Sequence, residues 1–220
     1  MKGWLLFLIL LGPSTSAWNW DTHRALVESF YVSVDDVTRE RLDLEELRRG
    51  AIEPDKVFRD FRRHGYPYTV ERASHWLEQT TYALDHDDWK NASYAFGVAA
   101  HYISDSFSAP HGVSGEDYRD HKQYEDDASR EYFYIPCAAG AYDLSQDLER
   151  ASHEGDTWEA WMSTRDIAYP QESVAFAKEM IYGVGLDVFH ATCHNKETEV
   201  VYLSWYRSMM LRFSWIDMSV

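Results

Sequence analysis

The stretch from Asp88 to Ser106 constrains the fold more than any other. Ala92, Ala95, Phe96, Ala99, Tyr102 and Ile103 recur there at three- and four-residue steps, the spacing of one face of an α-helix. A helix this apolar has to bury that face against other elements. Pro110 stops it. Elsewhere no convincing run alternates apolar and polar residues over strand length. Helices are predicted over about 21–33, with Asp21 as N-cap, and over 36–49, ending at Gly50 in a left-handed C-cap. Further helices are predicted over 74–86, 88–106, 116–133, 142–153, 157–167, 171–190 and 197–216. The stretch 51–70, with Pro54, Gly65 and Pro67, is predicted to be irregular, and Gly112 and Gly115 mark a loop. No repeat or low-complexity linker divides the chain. The predicted class is therefore all-α, a single-domain multi-helix bundle.

The first residues stand apart from this pattern. Met1 and Lys2 give a positive start, residues 4–11 are unbroken apolar, and Pro13 and small residues run to Ala17. The run is too short to span a bilayer as a helix and a small-residue cleavage site follows it, so residues 1–17 read as a secretory signal peptide. An uncleaved anchor is the alternative. Cleavage after Ala17 leaves Trp18 first, and residues 18–220 form the exported domain. Export permits one disulfide between the two cysteines, Cys137 and Cys193, and two buried thiols are the other reading. Asn91-Ala92-Ser93 fits a glycosylation sequon.

Lys plus Arg total 21 against 37 Asp plus Glu, a formal charge of −16. A surface this acidic is a poor partner for double-stranded nucleic acid, whose phosphates need a basic footprint. It does not exclude a phosphate ester as substrate, because bound metal ions invert the local charge.

The chemistry lies in the histidines. His101 and Asp105 are four residues apart, which puts both side chains on one face of the long helix. Ionisable groups on a core-facing helix are costly unless paired or metal-bound. His111 follows Pro110, and His121 and Glu125 repeat the four-residue spacing on the next helix. One such pair alone is usually an exposed or hydrogen-bonded pair. Two pairs flanking a Pro-His turn point to metal.

His101-x3-Asp105-x5-His111-x9-His121-x3-Glu125, with Pro110 before His111, resembles the signature of the zinc-dependent phospholipase C family. Its superfamily also contains the single-strand-specific zinc nucleases. The resemblance implies an all-helical fold with three zinc ions in one cleft and a mature N-terminal Trp acting as ligand through its amine and carbonyl. Carried over, it assigns the first zinc to Asp55, His75 and His101, with Asp105 bridging. The second would take Trp18, His23 and Asp105, and the third His111, His121 and Glu125. Glu53 and Asp60 compete with Asp55, and His64 competes with His75. The donors, all nitrogen and oxygen, suit zinc.

The resemblance implies an exported zinc phosphodiesterase, with Asp55 orienting the attacking water or taking its proton. Two substrate readings remain. Glu125 and the short His111–His121 loop resemble the phospholipase branch, which releases a phosphorylated headgroup and implies transient contact with a membrane surface. The tight Trp18–His23 spacing resembles the branch of single-strand nuclease and 3'-nucleotidase. Choline-selective members carry an aromatic after the metal-site aspartate, where this chain has Lys56. A non-catalytic zinc-binding module is the third alternative.

Overall fold

The computed structural model describes residues 18–60, 63–129, 137, 142–153 and 155–194. These residues are all-α, as the periodicities predict, and their one β-type contact is an isolated antiparallel bridge between Val34 and Cys193. The helices are α1 (Trp20–Ser33), α2 (Asp36–Arg41), α3 (Leu44–Gly50), α4 (Tyr68–Asp85), α5 (Trp89–Ser106), α6 (Tyr118–Ala128), α7 (Leu144–Ser152), α8 (Gly155–Thr164) and α9 (Ala168–Val188). No described helix is long and apolar enough to cross a membrane.

Five of the aspartates serve helix starts. Asp35, Asp43, Asp88, Asp117 and Asp143 each accept backbone N–H groups at an N-cap, satisfying donors that the first turn leaves unpaired. The cap of α1 is Asn19, not Asp21, and its side chain accepts from the N–H groups of Asp21 and Thr22. Asp43 also explains why the predicted 36–49 helix is two helices. It caps α3 after Leu42 leaves the helical region of backbone space.

Helix α5 is the axis of the fold. From Ala92 to Ser106 it is buried at every position except Tyr94. It packs against α3, α4, α9 and α1. Phe30 of α1, Phe96 of α5 and Phe189 after α9 form an aromatic cluster with ring centroids 4.9–6.0 Å apart. Tyr124 of α6 joins Trp158 and Trp161 of α8 in a second.

The crossing of α3 and α5 is backbone on backbone. A Cβ on Gly50 would lie 2.2 Å from the Tyr94 carbonyl oxygen, and one on Gly97 would lie 2.3 Å from that of Leu47. Gly50 is therefore a close-approach glycine and not the left-handed cap predicted for it.

Other boundaries moved for physical reasons. Helix α4 begins at Tyr68 rather than Ser74, directly after its N-cap Pro67. Helix α5 ends at Ser106, and Pro110 sits in a 3-10 turn, Ala109–Gly112. Within the stretch predicted to be irregular, Pro54–Phe58 forms a π-helical turn. The predicted 197–216 helix, the signal peptide and residues 130–133 of the 116–133 helix lie outside the described residues. Cys137 and Cys193 form a disulfide, with Cα atoms 5.7 Å apart. Asn91 is exposed in the first turn of α5, and its amide donates to Asp88.

Candidate metal centre

The helical spacing of His101 and Asp105 delivers both side chains to the core, where each is fully buried. The two oxygens of Asp105 face different partners. Oδ2 lies 3.1 Å from His101 Nε2 and 2.9 Å from His64 Nδ1, while Oδ1 lies 3.5 Å from His23 Nε2. Asp55, buried on the π-helical turn, places Oδ1 3.8 Å from His101 Nε2 and 3.5 Å from His64 Nδ1. Ligands held tetrahedrally around zinc at its usual bond lengths lie about 3.3 Å from one another. These distances scatter around that value.

The third group gathers beside the first. His121 Nε2 lies 2.9 Å and His111 Nε2 3.9 Å from Glu125 Oε1. The His111 ring is 5.0 Å from that of His121 and 6.2 Å from that of His64. Three sets could thus hold a metal ion: His23, His101 and Asp105; Asp55, His64 and His101; and His111, His121 and Glu125.

His75 is in none of them. It is exposed on α4, where its ring meets Trp76 edge-on. The structure does not bring His75 to the donor sets; the histidine it places there is His64, fully buried beside Asp55 and Asp105. The early start of α4 is the cause. It carries His75 two turns into a helix and onto its outer face, whereas His64 precedes the helix and folds inward.

The nitrogens not facing the donor sets are anchored. His101 Nδ1 donates to the Ala51 carbonyl at 2.8 Å, a contact that the close α3–α5 crossing makes possible. His23 Nδ1 is 3.0 Å from Ser104 Oγ, whose hydroxyl donates to the His101 carbonyl. His64 Nε2 is 3.2 Å from Asp60 Oδ1, and His121 Nδ1 is 3.3 Å from Glu116 Oε1. Such partners fix the tautomer and orientation of metal-binding histidines. Asp60, read from the sequence as a rival ligand, is thus an outer partner of His64, and it also accepts from Tyr102 Oη at 2.7 Å. Glu116 and Ser104 carry no spacing signal that singles them out.

Several inward atoms have no hydrogen-bond partner: His23 Nε2, His101 Nε2, His111 Nε2 and both oxygens of Asp105. Buried polar atoms left this way are costly, and a cation among them removes the cost. The donor chemistry, imidazole and carboxylate without thiolate, fits zinc.

Electrostatics are equally uneven. Burial would raise the Asp105 carboxyl, but His101 and His64 hold it well below the ordinary range. Burial would lower His64, but Asp105, Asp60 and Asp55 raise it to about 10. Burial lowers His23 strongly, with His101 adding to the effect. Burial takes His111 down to about 3. The Glu125 carboxyl is pushed up by burial to about 7, against the pull of His121.

Residues 22–173 match the family model described as zinc dependent phospholipase C. The chain belongs to the zinc-dependent phospholipase C family. Comparison with curated proteins gives no match. The family match spans each histidine and carboxylate of the three donor sets. Membership in this family supports a zinc-dependent hydrolase acting on phosphodiester bonds and implies a phospholipid substrate. Trp18 lies just before the matched stretch. It is fully buried, and its indole Nε1 donates to the Ser104 carbonyl at 2.8 Å.

Proposed function

We propose that the protein is an exported phospholipase C that releases a phosphorylated headgroup from phospholipid, with residues 1–17 removed and Trp18 at the mature N-terminus. The observation that carries this reading is Asp105, whose two oxygens face two separate donor sets. That is the arrangement a bridging ligand between two ions requires. Asp55, His64, His101 and Asp105 would hold one zinc. Asp105, His23 and the Trp18 amine and carbonyl would hold the second. His111, His121 and Glu125 would hold the third. Bound zinc supplies Lewis-acid polarisation of the phosphoryl group and acidifies water.

The chain's own residues do the rest. Asp55 accepts the proton of the attacking water through its buried carboxylate. The water oxygen forms a bond to phosphorus, and the bond from phosphorus to the diacylglycerol oxygen breaks. The proton passes to that leaving oxygen. Ala51, Asp60, Ser104 and Glu116 keep the imidazoles in register, so no reorganisation is needed during the reaction. The Trp18 indole bond to Ser104, the residue before Asp105, supports a mature N-terminus held at the second donor set. The Cys137–Cys193 disulfide supports export, since such bonds persist in oxidising compartments.

The phospholipid substrate is favoured over a nucleic acid by Glu125 in the third set and by the −16 charge. The test is phosphorus NMR on zinc-loaded protein beginning at Trp18, with lecithin micelles and single-stranded DNA in one tube and a chelator-treated control. Chelator-sensitive phosphorylated headgroups are expected. Chelator-sensitive mononucleotides would instead place the protein in the nuclease branch. Tight zinc binding with neither product would leave a non-catalytic module. Adding one residue before Trp18 is expected to cost one zinc, and unchanged zinc content would remove the N-terminal ligand.

A further inference from the structure

Between the donors Asp55 and His64 the chain makes its densest concentration of positive charge. Lys56, Arg59, Arg62 and Arg63 fall within eight residues, opposed there by Asp60 alone, in a protein that carries −16 overall. Lys56, Arg59 and Arg63 are exposed. Among the described residues Arg59 and Arg63 make no ion pair, and Lys56 has only the Trp20 ring, 5.5 Å from its Nζ. Large apolar side chains adjoin these cations in water: Val57 at 57% exposure and Phe58 at 39% in the same turn, and Trp20, beside Lys56, at 41%.

The turn itself explains the exposure. The π-helical turn aims Asp55 into the core and leaves Lys56, Val57 and Phe58 outside. Arg59 then leaves the turn in the left-handed region, φ 54°, a conformation that costs a non-glycine residue energy, and its side chain is exposed. Phe58 is braced by stacking on Trp76, with centroids 6.0 Å apart and planes within 10°, so its exposed edge is held outward.

Exposed apolar residues among cations mark interaction sites. Basic residues are drawn to anionic lipid surfaces, and aromatic side chains settle at headgroup depth. We infer that Trp20, the exposed turn residues Lys56–Arg59 and Arg63 form an interfacial lip that docks the protein on anionic phospholipid bilayers, next to the donors Asp55 and His64. The occupant follows from charge. A zwitterionic surface gives the exposed cations Lys56, Arg59 and Arg63 nothing to neutralise, whereas an anionic one does. The inference rests on the phospholipase reading for its purpose and not for its test.

The test is vesicle flotation of the zinc-loaded protein, run on Asp55→Asn to prevent turnover, with phosphatidylcholine vesicles with and without phosphatidylserine. Binding is expected to need phosphatidylserine and to weaken as salt is raised. The double variant Val57→Asp, Arg59→Glu is expected to lower the partition by at least about tenfold. In the Asp55-bearing protein the same pair is expected to leave hydrolysis of monomeric short-chain lecithin unchanged, since that substrate presents no surface. Equal partition of the double variant, or no preference for phosphatidylserine, would overturn the lip. Loss of single-stranded DNA binding or of self-association in the variant, with lipid binding intact, would also overturn it, in favour of a polyanion or a second copy. Vesicle docking without cleavage of monomeric lecithin by the wild type would sustain the lip and reject the phospholipase reading.

Discussion

His64 Nδ1 lies 2.9 Å from Asp105 Oδ2, joining a loop histidine to the central carboxylate of α5. Asp60 holds the opposite nitrogen of the same ring. His64 is thus held from both sides, with Nδ1 facing the donor set. Its replacement should show in metal content before it shows in folding. His64→Ala is expected to lose one zinc per chain by atomic emission and to lower turnover by at least about a hundredfold. His75→Ala, on the outer face of α4, is expected to keep both. Zinc loss in the second variant and not in the first would return the ligand to His75.

The outer partners should tune affinity without removing a ligand. Asp60→Asn keeps the shape while weakening acceptance from His64 Nε2 and Tyr102 Oη. Glu116→Gln does the same for His121 Nδ1. Each is expected to weaken zinc binding by about 10–100-fold, read by competition with a graded chelator. Zinc stoichiometry at saturation should stay at the wild-type value.

Zinc binding should release protons. With no metal bound, His64 is raised to about 10, so at pH 7–9 it carries a proton that a metal must displace. Apparent affinity is therefore expected to rise with pH, by close to tenfold per unit from this group alone until about pH 10. Glu125, raised to about 7, adds a second proton below neutrality. His111, lowered to about 3, adds none over this range. Calorimetry in buffers of different ionisation enthalpy measures the count. The sign for metal-free stability is opposite for His64. A histidine whose folded pKa is raised stabilises the fold fully below its unfolded value, near 6.5, and loses that contribution as pH climbs through about 10.

The α3–α5 crossing should matter to both stability and the site. A Cβ on Gly97 would press on the Leu47 carbonyl, a backbone atom that cannot swing aside. Gly97→Ala is expected to destabilise the protein by about 2 kcal/mol or more, read by denaturant unfolding with zinc present. Separating the helices also withdraws the Ala51 carbonyl from His101 Nδ1. Zinc affinity should therefore fall with stability, whereas a cavity variant such as Leu148→Ala should lower stability alone.

What the amino-acid sequence determined by itself is what helical geometry fixes locally. A spacing of four residues on one helix puts His101 with Asp105 and His121 with Glu125, whatever surrounds them. The apolar period of α5 likewise requires a helical shell around it, and the all-α class follows. The tertiary structure decided everything that crosses between elements. It chose His64 over His75, because the start of α4 sets which face His75 takes. It divided Asp55 from Asp60, one facing the donors and the other behind a histidine, through a π-helical turn that no apolar period announces. It turned Gly50 from an expected cap into a crossing point, since only the neighbouring helix reveals how near its backbone comes. Short-range periodicity is written in one segment, whereas the path of a loop is settled by the packing of the segments it joins.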